Sequence, residues 1–306
     1  MTHNKLGELA TQIQGEFLPW IYSISSRIHQ VELREMAYDP NVMSVAVVEC
    51  AELFNPKVVS VNLDPTVWAE AVGCEVAWGN GFPVITDSSG FTPNPDVLLE
   101  CERVKVLRDA IERTRASIPN SLLACAINGP GMLSALLPTD EPMSDSEVFL
   151  IGECVSEAAR MVCETGVDLL VVMEEQAINN KVIEYWLKRG IYHQVGKISA
   201  YYSIATVLLS PGYEYSEALM VDSSTIGYWI GKTENIRHSG VNGRPLFGHI
   251  VNGFGAGRCE LEDIRKILKR LPGFLTTQWD LDPDTDLTSV HRDASTVCKF
   301  LRDIDR

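Results

Sequence analysis

The sequence predicts a single α/β domain, a (β/α)8 barrel (a TIM barrel) with its functional site at the carboxyl ends of the strands. Short apolar runs alternate with amphipathic helices along the whole chain, a pattern typical of βα units and a parallel sheet. Eight such runs can be counted, and eight strands close this barrel. The length of 306 residues suits one barrel, which typically has about 250 residues or more. We therefore treat residues 1–306 as one domain.

The eight predicted strands are short and mostly apolar. They are Leu18–Ile24, Val58–Asn62, Leu122–Asn128, Leu169–Glu174, Ala205–Ser210, Ala218–Asp222, Pro245–Ile250 and Phe274–Gln278. The sixth, Ala218–Asp222, is short and can also be interpreted as the continuation of a helix.

Helix-start signals lie between several of these strands. Asp39 followed by Pro40 predicts an N-cap with proline at the first helical position, and Val42, Val45, Ala46, Cys50 and Leu53 should share one face of that helix. Further helices are predicted over Leu98–Ala116, from the capping box at Ser144 to Gly166, and over Glu260–Leu271 and Ser289–Ile304. Residues 79–94 are rich in Gly, Pro, Ser and Asp and predict a hairpin or lid over the barrel mouth.

Composition excludes several classes of partner. The net charge of −15 would repel phosphate backbones, so no nucleic acid partner is expected. The chain has no apolar run long enough for a membrane span and no signal-peptide core at its start, so we expect a cytoplasmic protein. Its eight cysteines contain no C-x-x-C pair, which disfavours zinc ribbons and thioredoxin-like motifs and predicts reduced thiols.

Polar and acidic residues follow the predicted strands. Because a parallel barrel directs strand-terminal side chains into one mouth, these positions are the candidate site. The candidate catalytic groups are Asp64, Glu174, Asp222 and His249. The candidate substrate-binding groups are Tyr22, Asn62, Asn128, Ser210, Gln278 and Trp279.

Each of these residues also has a purely structural interpretation. Asp64 and Asp222 could cap the helices that follow them, and His249 could be a core histidine. Only one of Glu174 and Glu175 can point into the mouth, and Asn128 could simply begin a tight turn. Together, however, four acidic or imidazole groups in one poorly solvated pocket would be costly without a function.

Three chemistries could use such a set. A carboxylate can stabilise a developing positive charge, as on a protonated ring during decarboxylation. A carboxyl group with a raised pKa can protonate a leaving oxygen. Glu174, Asp222 and His249 could instead bind a cation such as zinc, which would polarise an ether or alcohol oxygen.

Several segments resemble, in order and spacing, motifs of the uroporphyrinogen decarboxylase superfamily, which includes corrinoid-linked methyltransferases. The resembling segments are Tyr38–Met43, Leu63–Val76, Ile127–Leu133, Gly166–Leu170, Leu246–Ile250 and Leu281–Thr285. The resemblance implies a (β/α)8 barrel and places Asp64 on the family's catalytic or substrate-binding aspartate. No covalently bound cofactor is implied.

The methyltransferase branch fits better than the decarboxylases. Asp64, Thr66, Ala69, Glu70, Ala71, Gly73, Cys74 and Glu75 match its "D-x-T-x-E-A-E-A-x-G-C-E" pattern. The arginine-rich start of true uroporphyrinogen decarboxylases is reduced to Arg27, and the histidine after their last strand is replaced in the segment Gln278–Asp280. The zinc-binding H-x-C motif of coenzyme M methyltransferases is also missing, since Ser210–Gly212 stands there.

The resemblance therefore implies transfer of a methyl group from a small oxygen-linked donor, such as an aryl methyl ether, to the Co(I) corrinoid of a partner protein. Trp20, Tyr22, Trp68, Trp78 and Trp279 could stack on an aryl ring. Two alternatives stay open, a cofactor-free decarboxylase using Arg27, Arg237 and Arg244, and a non-catalytic binding barrel. The formation of a homodimer is also left open.

Overall fold

The computed structural model of the protein describes residues 9, 11–79, 81–138, 142–174, 180–214, 227–232, 246–257, 259–270 and 273–304. Ten strands lie in this part of the chain. They are β1 (Phe17–Leu18), β2 (Val58–Asn62), β3 (Glu75–Ala77), β4 (Val84–Asp87), β5 (Leu122–Asn128), β6 (Leu169–Met173), β7 (Ala205–Glu214), β8 (Tyr228–Lys232), β9 (Leu246–Ile250) and β10 (Gly273–Thr276).

Eight of the strands form one parallel sheet in the order β1-β10-β9-β8-β7-β6-β5-β2. The first and second strands of the ring are the two edges of this sheet, so the barrel is nearly closed. The predicted (β/α)8 architecture is therefore confirmed. The two remaining strands, β3 and β4, form a separate antiparallel hairpin after β2.

Helices surround the barrel. Within the described residues they are α1 (Ser25–Ile28), α2 (Leu33–Tyr38), α3 (Pro40–Phe54), α4 (Thr66–Ala71), α5 (Pro95–Leu98), α6 (Glu102–Ser117), α7 (Pro130–Ser134), α8 (Asp145–Glu164), α9 (Asn180–Lys188), α10 (Ile191–Tyr201), α11 (Glu262–Arg270) and α12 (Leu287–Ile304). None of them has the length and apolarity needed to cross a membrane.

The register separates the inner from the outer face of the barrel. Leu275 packs with Ile264, Val297 and Leu301 of the outer helices, so it faces outward. Since side chains alternate along a strand, the neighbouring Phe274 faces the interior. Register partners share a face, which places one residue from each of six strands in one inner layer: Asn128, Met173, Leu209, Ile230, Gly248 and Phe274.

The predicted strands match the structure unevenly. Val58–Asn62 and Leu122–Asn128 are confirmed with their boundaries. The first strand is only Phe17–Leu18, and a turn at residues 23–24 leads into α1, so the predicted strand to Ile24 is too long. The predicted sixth strand, Ala218–Asp222, lies outside the described residues. Between β7 and β9 the sheet contains Tyr228–Lys232, which is not among the predicted strands.

The helix-capping predictions are confirmed. Asp39 accepts hydrogen bonds from the backbone nitrogens of Asn41 and Val42 at the start of α3. Ser144 and Glu147 form the capping box of α8, which ends at Glu164, shortly before Gly166 with its positive φ of 83°. The predicted apolar face of α3 needs correction.

On α3, Val45 and Leu53 are 45% and 50% exposed, whereas Met43 and Val47 are buried beside Ala46 and Cys50. The cause is the packing of α3 against both α6 and the short helices α1 and α2, which rotates its buried stripe away from the face predicted from spacing alone.

Candidate functional site

Asp64 directly follows β2 and forms a buried ion pair. Its Oδ2 accepts a short hydrogen bond from Nη2 of Arg103, a residue of α6 that is only 1% exposed. Its Oδ1 accepts from the backbone nitrogen of Thr66 at 2.8 Å and from Thr66 Oγ1 at 2.7 Å. Asp64 therefore accepts hydrogen bonds from Thr66, the first residue of α4, as the helix-cap interpretation partly anticipated, and it also forms an ion pair with the Arg103 guanidinium.

Arg103 connects the groups around Asp64. Its Nη1 donates to Thr66 Oγ1 at 3.0 Å and to Glu70 Oε2 at 3.1 Å. Its guanidinium lies 4.8 Å from the ring centroid of Trp78 and 5.8 Å from that of Tyr38. Burial alone would lower the pKa of Arg103, but the charges of Asp64 and Glu70 outweigh it and hold that pKa above its usual value.

Tyr22 follows β1 and lies near Asp64. Burial raises the pKa of the Tyr22 phenol far above its usual value of 10.0, and the charge of Asp64 raises it further. The phenol is therefore un-ionised throughout the physiological range and can act only as a neutral hydrogen-bonding group.

Asp280, after β10, holds the backbone of this segment. It accepts from the backbone nitrogens of Tyr22 and Ser23 at 2.8 and 2.9 Å, from Ser23 Oγ at 2.5 Å, and from the backbone nitrogen of Leu281 at 2.9 Å. Burial raises the pKa of Asp280 to about 7, against these hydrogen bonds, which favour the charged form. Asp280 thus anchors the segment that carries Tyr22 to the end of β10.

Asn62 and Asn128 end the two neighbouring strands β2 and β5. Asn62 Oδ1 accepts from the backbone nitrogen of Asp64 at 3.2 Å. Asn128 Nδ2 donates to the carbonyl of Pro65 at 3.0 Å, while its buried Oδ1 has no hydrogen-bond partner among the described residues. The structure therefore brings together Tyr22, Asn62, Asp64 and Asn128, and these four residues are called the β1–β2–β5 corner.

Glu174 does not belong to this corner. It follows the inward-facing Met173, so its side chain lies on the opposite, helix-facing side of the sheet. There its Oε1 accepts from the backbone nitrogen of Gly131 at 3.1 Å and from the hydroxyl of Tyr192, and its Oε2 accepts from the backbone nitrogen of Met132 at 2.7 Å. Burial raises the pKa of Glu174 to about 7, although these hydrogen bonds oppose the shift.

His249 and Ser210 also lie on the outer face. His249 is the register partner of the outward-facing Leu275, and Ser210 follows the inward-facing Leu209. Both are buried. The expectation that Asp64, Glu174 and His249 point into one pocket therefore needs correction, because strand alternation places Glu174 and His249 on the other face.

The other candidates are dispersed or undescribed. Gln278 is exposed, and Trp279 is half-buried and packs against the core. Asp222 lies outside the described residues, as do Arg237 and Arg244. Arg27 donates to the carbonyls of Pro283 and Thr285 at 2.9 and 2.8 Å, so it braces the segment after β10.

The described residues do not fit a zinc ion. Among them, no three His, Cys, Asp or Glu residues come close enough to hold a metal. Both oxygens of Asp64 and both oxygens of Glu174 accept hydrogen bonds from protein groups. His249 and Glu174 could not join Asp64 as ligands without leaving the helix-facing side of the sheet.

Sequence reasoning missed Arg103 and undervalued Asp280. Arg103 lies in a helix whose other charged residues are mostly exposed, so its sequence context indicates a surface position. A weak signal existed in the buried neighbours Val104 and Leu107, which share its side of α6. Asp280 ends the segment Gln278–Asp280, which follows the last predicted strand, but only the fold shows that it binds the turn after β1.

Comparison with solved structures finds the same fold in a methyltransferase and in a methionine synthase. A methyltransferase from Methanosarcina mazei superposes with a TM-score of 0.66 at 16% identity, over 92% of this chain and 92% of that chain. A B12-independent methionine synthase from Shewanella sp. W3-18-1, in complex with selenomethionine, gives a TM-score of 0.53 at 12% identity, over 86% and 88% of the two chains. At these identities the likeness shows the fold alone.

Sequence comparison adds no family assignment. No protein-family model matches the chain, and no curated protein matches it. The class that the fold and the site define is thus a (β/α)8 barrel with a polar and aromatic corner at the carboxyl ends of its first strands.

Proposed function

We propose that the protein is a methyltransferase that moves a methyl group from a small oxygen-linked donor, such as an aryl methyl ether, to the Co(I) corrinoid of a partner protein. The donor would bind at the β1–β2–β5 corner. The observation that supports this best is that this corner contains both a neutral phenol, that of Tyr22, and a buried acceptor, Asn128 Oδ1, that no described residue satisfies.

An unsatisfied buried acceptor indicates a missing polar partner. Leaving a buried carbonyl oxygen unpaired costs about 1–3 kcal/mol, which a hydroxyl or amide donor on a bound molecule would recover. Two features favour a methyl donor as that molecule. One is the fold shared with a methyltransferase and a methionine synthase, and the other is the methyltransferase-like sequence motif that begins at Asp64.

The chain's own residues would bind the donor and stabilise its leaving oxygen. In the proposed reaction the carbon–oxygen bond breaks, the bonding pair stays on oxygen, and the methyl carbon passes to Co(I), which supplies the pair for the new bond. Tyr22 would donate its hydrogen bond to the leaving oxygen, whose negative charge grows as the bond breaks. A proton from solvent then completes the alcohol or phenol.

Asp64 would act through position and charge. Its oxygens are held by Thr66 and Arg103, so it is fixed in place and poorly suited to deliver a proton. No step is assigned to zinc, because the described residues do not fit it.

The test is a methyl-transfer assay with a reduced corrinoid protein and a panel of methoxylated aromatic compounds, followed by the change in the corrinoid absorption spectrum. Tyr22→Phe should lower the transfer rate by about ten-fold or more, whereas Tyr201→Phe, at a tyrosine that is 80% exposed, should not. No spectral change with any donor would contradict the proposal.

Two alternatives have distinct outcomes. A decarboxylase of the uroporphyrinogen type would release carbon dioxide from that substrate, but Arg27 is occupied by backbone carbonyls, which disfavours it as a carboxylate ligand. A non-catalytic binding barrel would turn over no substrate. In that case neither Asp64→Ala nor His249→Ala would change the turnover of any compound tested.

A further inference from the structure

Glu174, the acid at the end of β6, lies away from the β1–β2–β5 corner. Its carboxyl group is fully buried and accepts three hydrogen bonds, two from backbone nitrogens of α7 and one from Tyr192 on α10. All of these donors belong to the protein, and none is a charged side chain.

The turn after β5 is built around this carboxyl group. A Cβ atom on Gly129 would lie 2.5 Å from Cδ of Glu174, and one on Gly131 would lie 2.7 Å from its Oε2. Neither distance is compatible with a side chain unless Glu174 moves. The glycines at 129 and 131 therefore leave the space that the Glu174 carboxyl group occupies. The Gly129–Gly131 segment is thus more than a flexible turn.

The same turn begins at Asn128. The backbone nitrogen of Gly129 donates to the carbonyl of Met173 at 2.7 Å, which ties the end of β5 to the end of β6. Asn128 faces inward and donates to Pro65, while Glu174 holds Gly131 and Met132 from the outer face. Glu174 and Asn128 thus lie on opposite sides of one short backbone segment.

We propose that Glu174 is a positioning residue, which fixes the turn at 129–132 from behind and so directs the Asn128 amide into the barrel mouth. The consequence for donor binding rests on the proposed function. The positioning itself does not, because it concerns the geometry of Asn128 in the free protein.

The central experiment follows the side-chain amide of Asn128 by NMR in protein labelled with 15N-asparagine. Glu174→Gln keeps the size of the side chain but places an NH2 group against surrounding donors. We expect the Asn128 side-chain signal to shift or broaden. In uniformly 15N-labelled protein, we also expect the backbone amides of residues 131 and 132 to exchange about ten-fold faster or more.

The matched control is Glu164→Gln. Glu164 also accepts from a tyrosine hydroxyl, that of Tyr202 at 2.9 Å, but at the surface, and its replacement should leave the Asn128 signal unchanged. Tyr192→Phe removes only one of the three hydrogen bonds, so it serves if Glu174→Gln does not fold. An Asn128 signal unchanged in both Glu174→Gln and Tyr192→Phe would overturn the proposal.

Kinetics then separate this role from direct catalysis. A positioning role predicts that Glu174→Gln raises the KM for the donor about ten-fold while kcat falls less. Loss of kcat at an unchanged KM would overturn the proposal in favour of a catalytic role. If the wild-type protein transfers no methyl group, the proposed function fails, and the NMR result still decides the positioning.

Discussion

The ends of β2 and β6 each bury a carboxylate, and the protein stabilises the two in different ways. Asp64 receives a guanidinium, from Arg103, together with the hydroxyl and amide of Thr66. Among the described residues, Glu174 accepts hydrogen bonds from neutral groups, the backbone nitrogens of Gly131 and Met132 and the hydroxyl of Tyr192, and burial raises its pKa to about 7. A strand-terminal acid near a barrel mouth is thus not enough to define a catalytic group, since the partners decide what it can do.

The largest effect is expected at the ion pair. Arg103→Met removes the cation and leaves Asp64 charged in a buried site, which typically costs about 3–5 kcal/mol in the free energy of unfolding. Urea denaturation measures the loss. Lys105→Met, on the same helix but in an exposed pair with Glu100, is the control and should be nearly neutral. Similar losses in the two variants would contradict the special place of Arg103.

The pH dependence of stability should reveal Glu174. Because its pKa in the folded state is about 7 and its ordinary value is 4.5, the folded protein keeps a proton that the unfolded chain releases between these values. The contribution of Glu174 to the free energy of unfolding is therefore fully present below pH 4.5. It falls by at most about 3 kcal/mol as the pH rises to 7.

Asp280, whose pKa is also raised to about 7, adds a slope of the same sign. Denaturation curves at several pH values between 4.5 and 7 should show that the free energy of unfolding falls less for Glu174→Gln than for the wild type. The part of the decrease that remains in this variant should come from Asp280. Parallel slopes for the two proteins would show that Glu174 does not carry the extra proton.

A smaller effect on stability is expected at Gly129, where the Glu174 carboxyl group leaves no room for a side chain. Gly129→Ala should cost about 1–3 kcal/mol, because the new methyl group displaces the carboxyl group from its hydrogen bonds. Gly79→Ala, where no atom lies within 4 Å of the new methyl group, is the control. If the cost arises at Glu174, the effects of Gly129→Ala and Glu174→Ala should not add in a double-mutant cycle, and simple additivity would place the cost elsewhere.

The smallest effect concerns a single hydrogen bond at the end of β6. Tyr192→Phe should destabilise the protein by about 1 kcal/mol, as thermal denaturation can measure, and Thr66→Val at the end of β2 should cost more. Thr66 donates to Asp64 and accepts from Arg103, so its loss disturbs a charged pair. The reverse order would mean that neutral donors matter more at Glu174 than the ion-pair network does at Asp64.

Part of the site could be predicted from the sequence. Asn62, Asp64 and Asn128 were found because β2 and β5 are clear apolar runs whose ends are marked by polar residues, and neighbouring parallel strands place such ends together. The positions of Glu174 and His249 at strand ends could also be predicted. The face of the sheet on which each side chain lies could not, because it changes when the register of the strand shifts by one residue.

The barrel, most of its strands, the caps at Asp39 and Ser144 and the glycines of the turn after β5 follow from the order of residues in the chain. These features depend on local periodicity and on backbone conformations that few residue types allow. The contacts of Arg103 with Asp64 and of Asp280 with the turn after β1 arise only when the chain folds. Arg103 and Asp64 are 39 positions apart in the chain, and Tyr22 and Asp280 are 258 positions apart. A buried charge needs a partner nearby in space, and no local sequence pattern shows which distant residue supplies it.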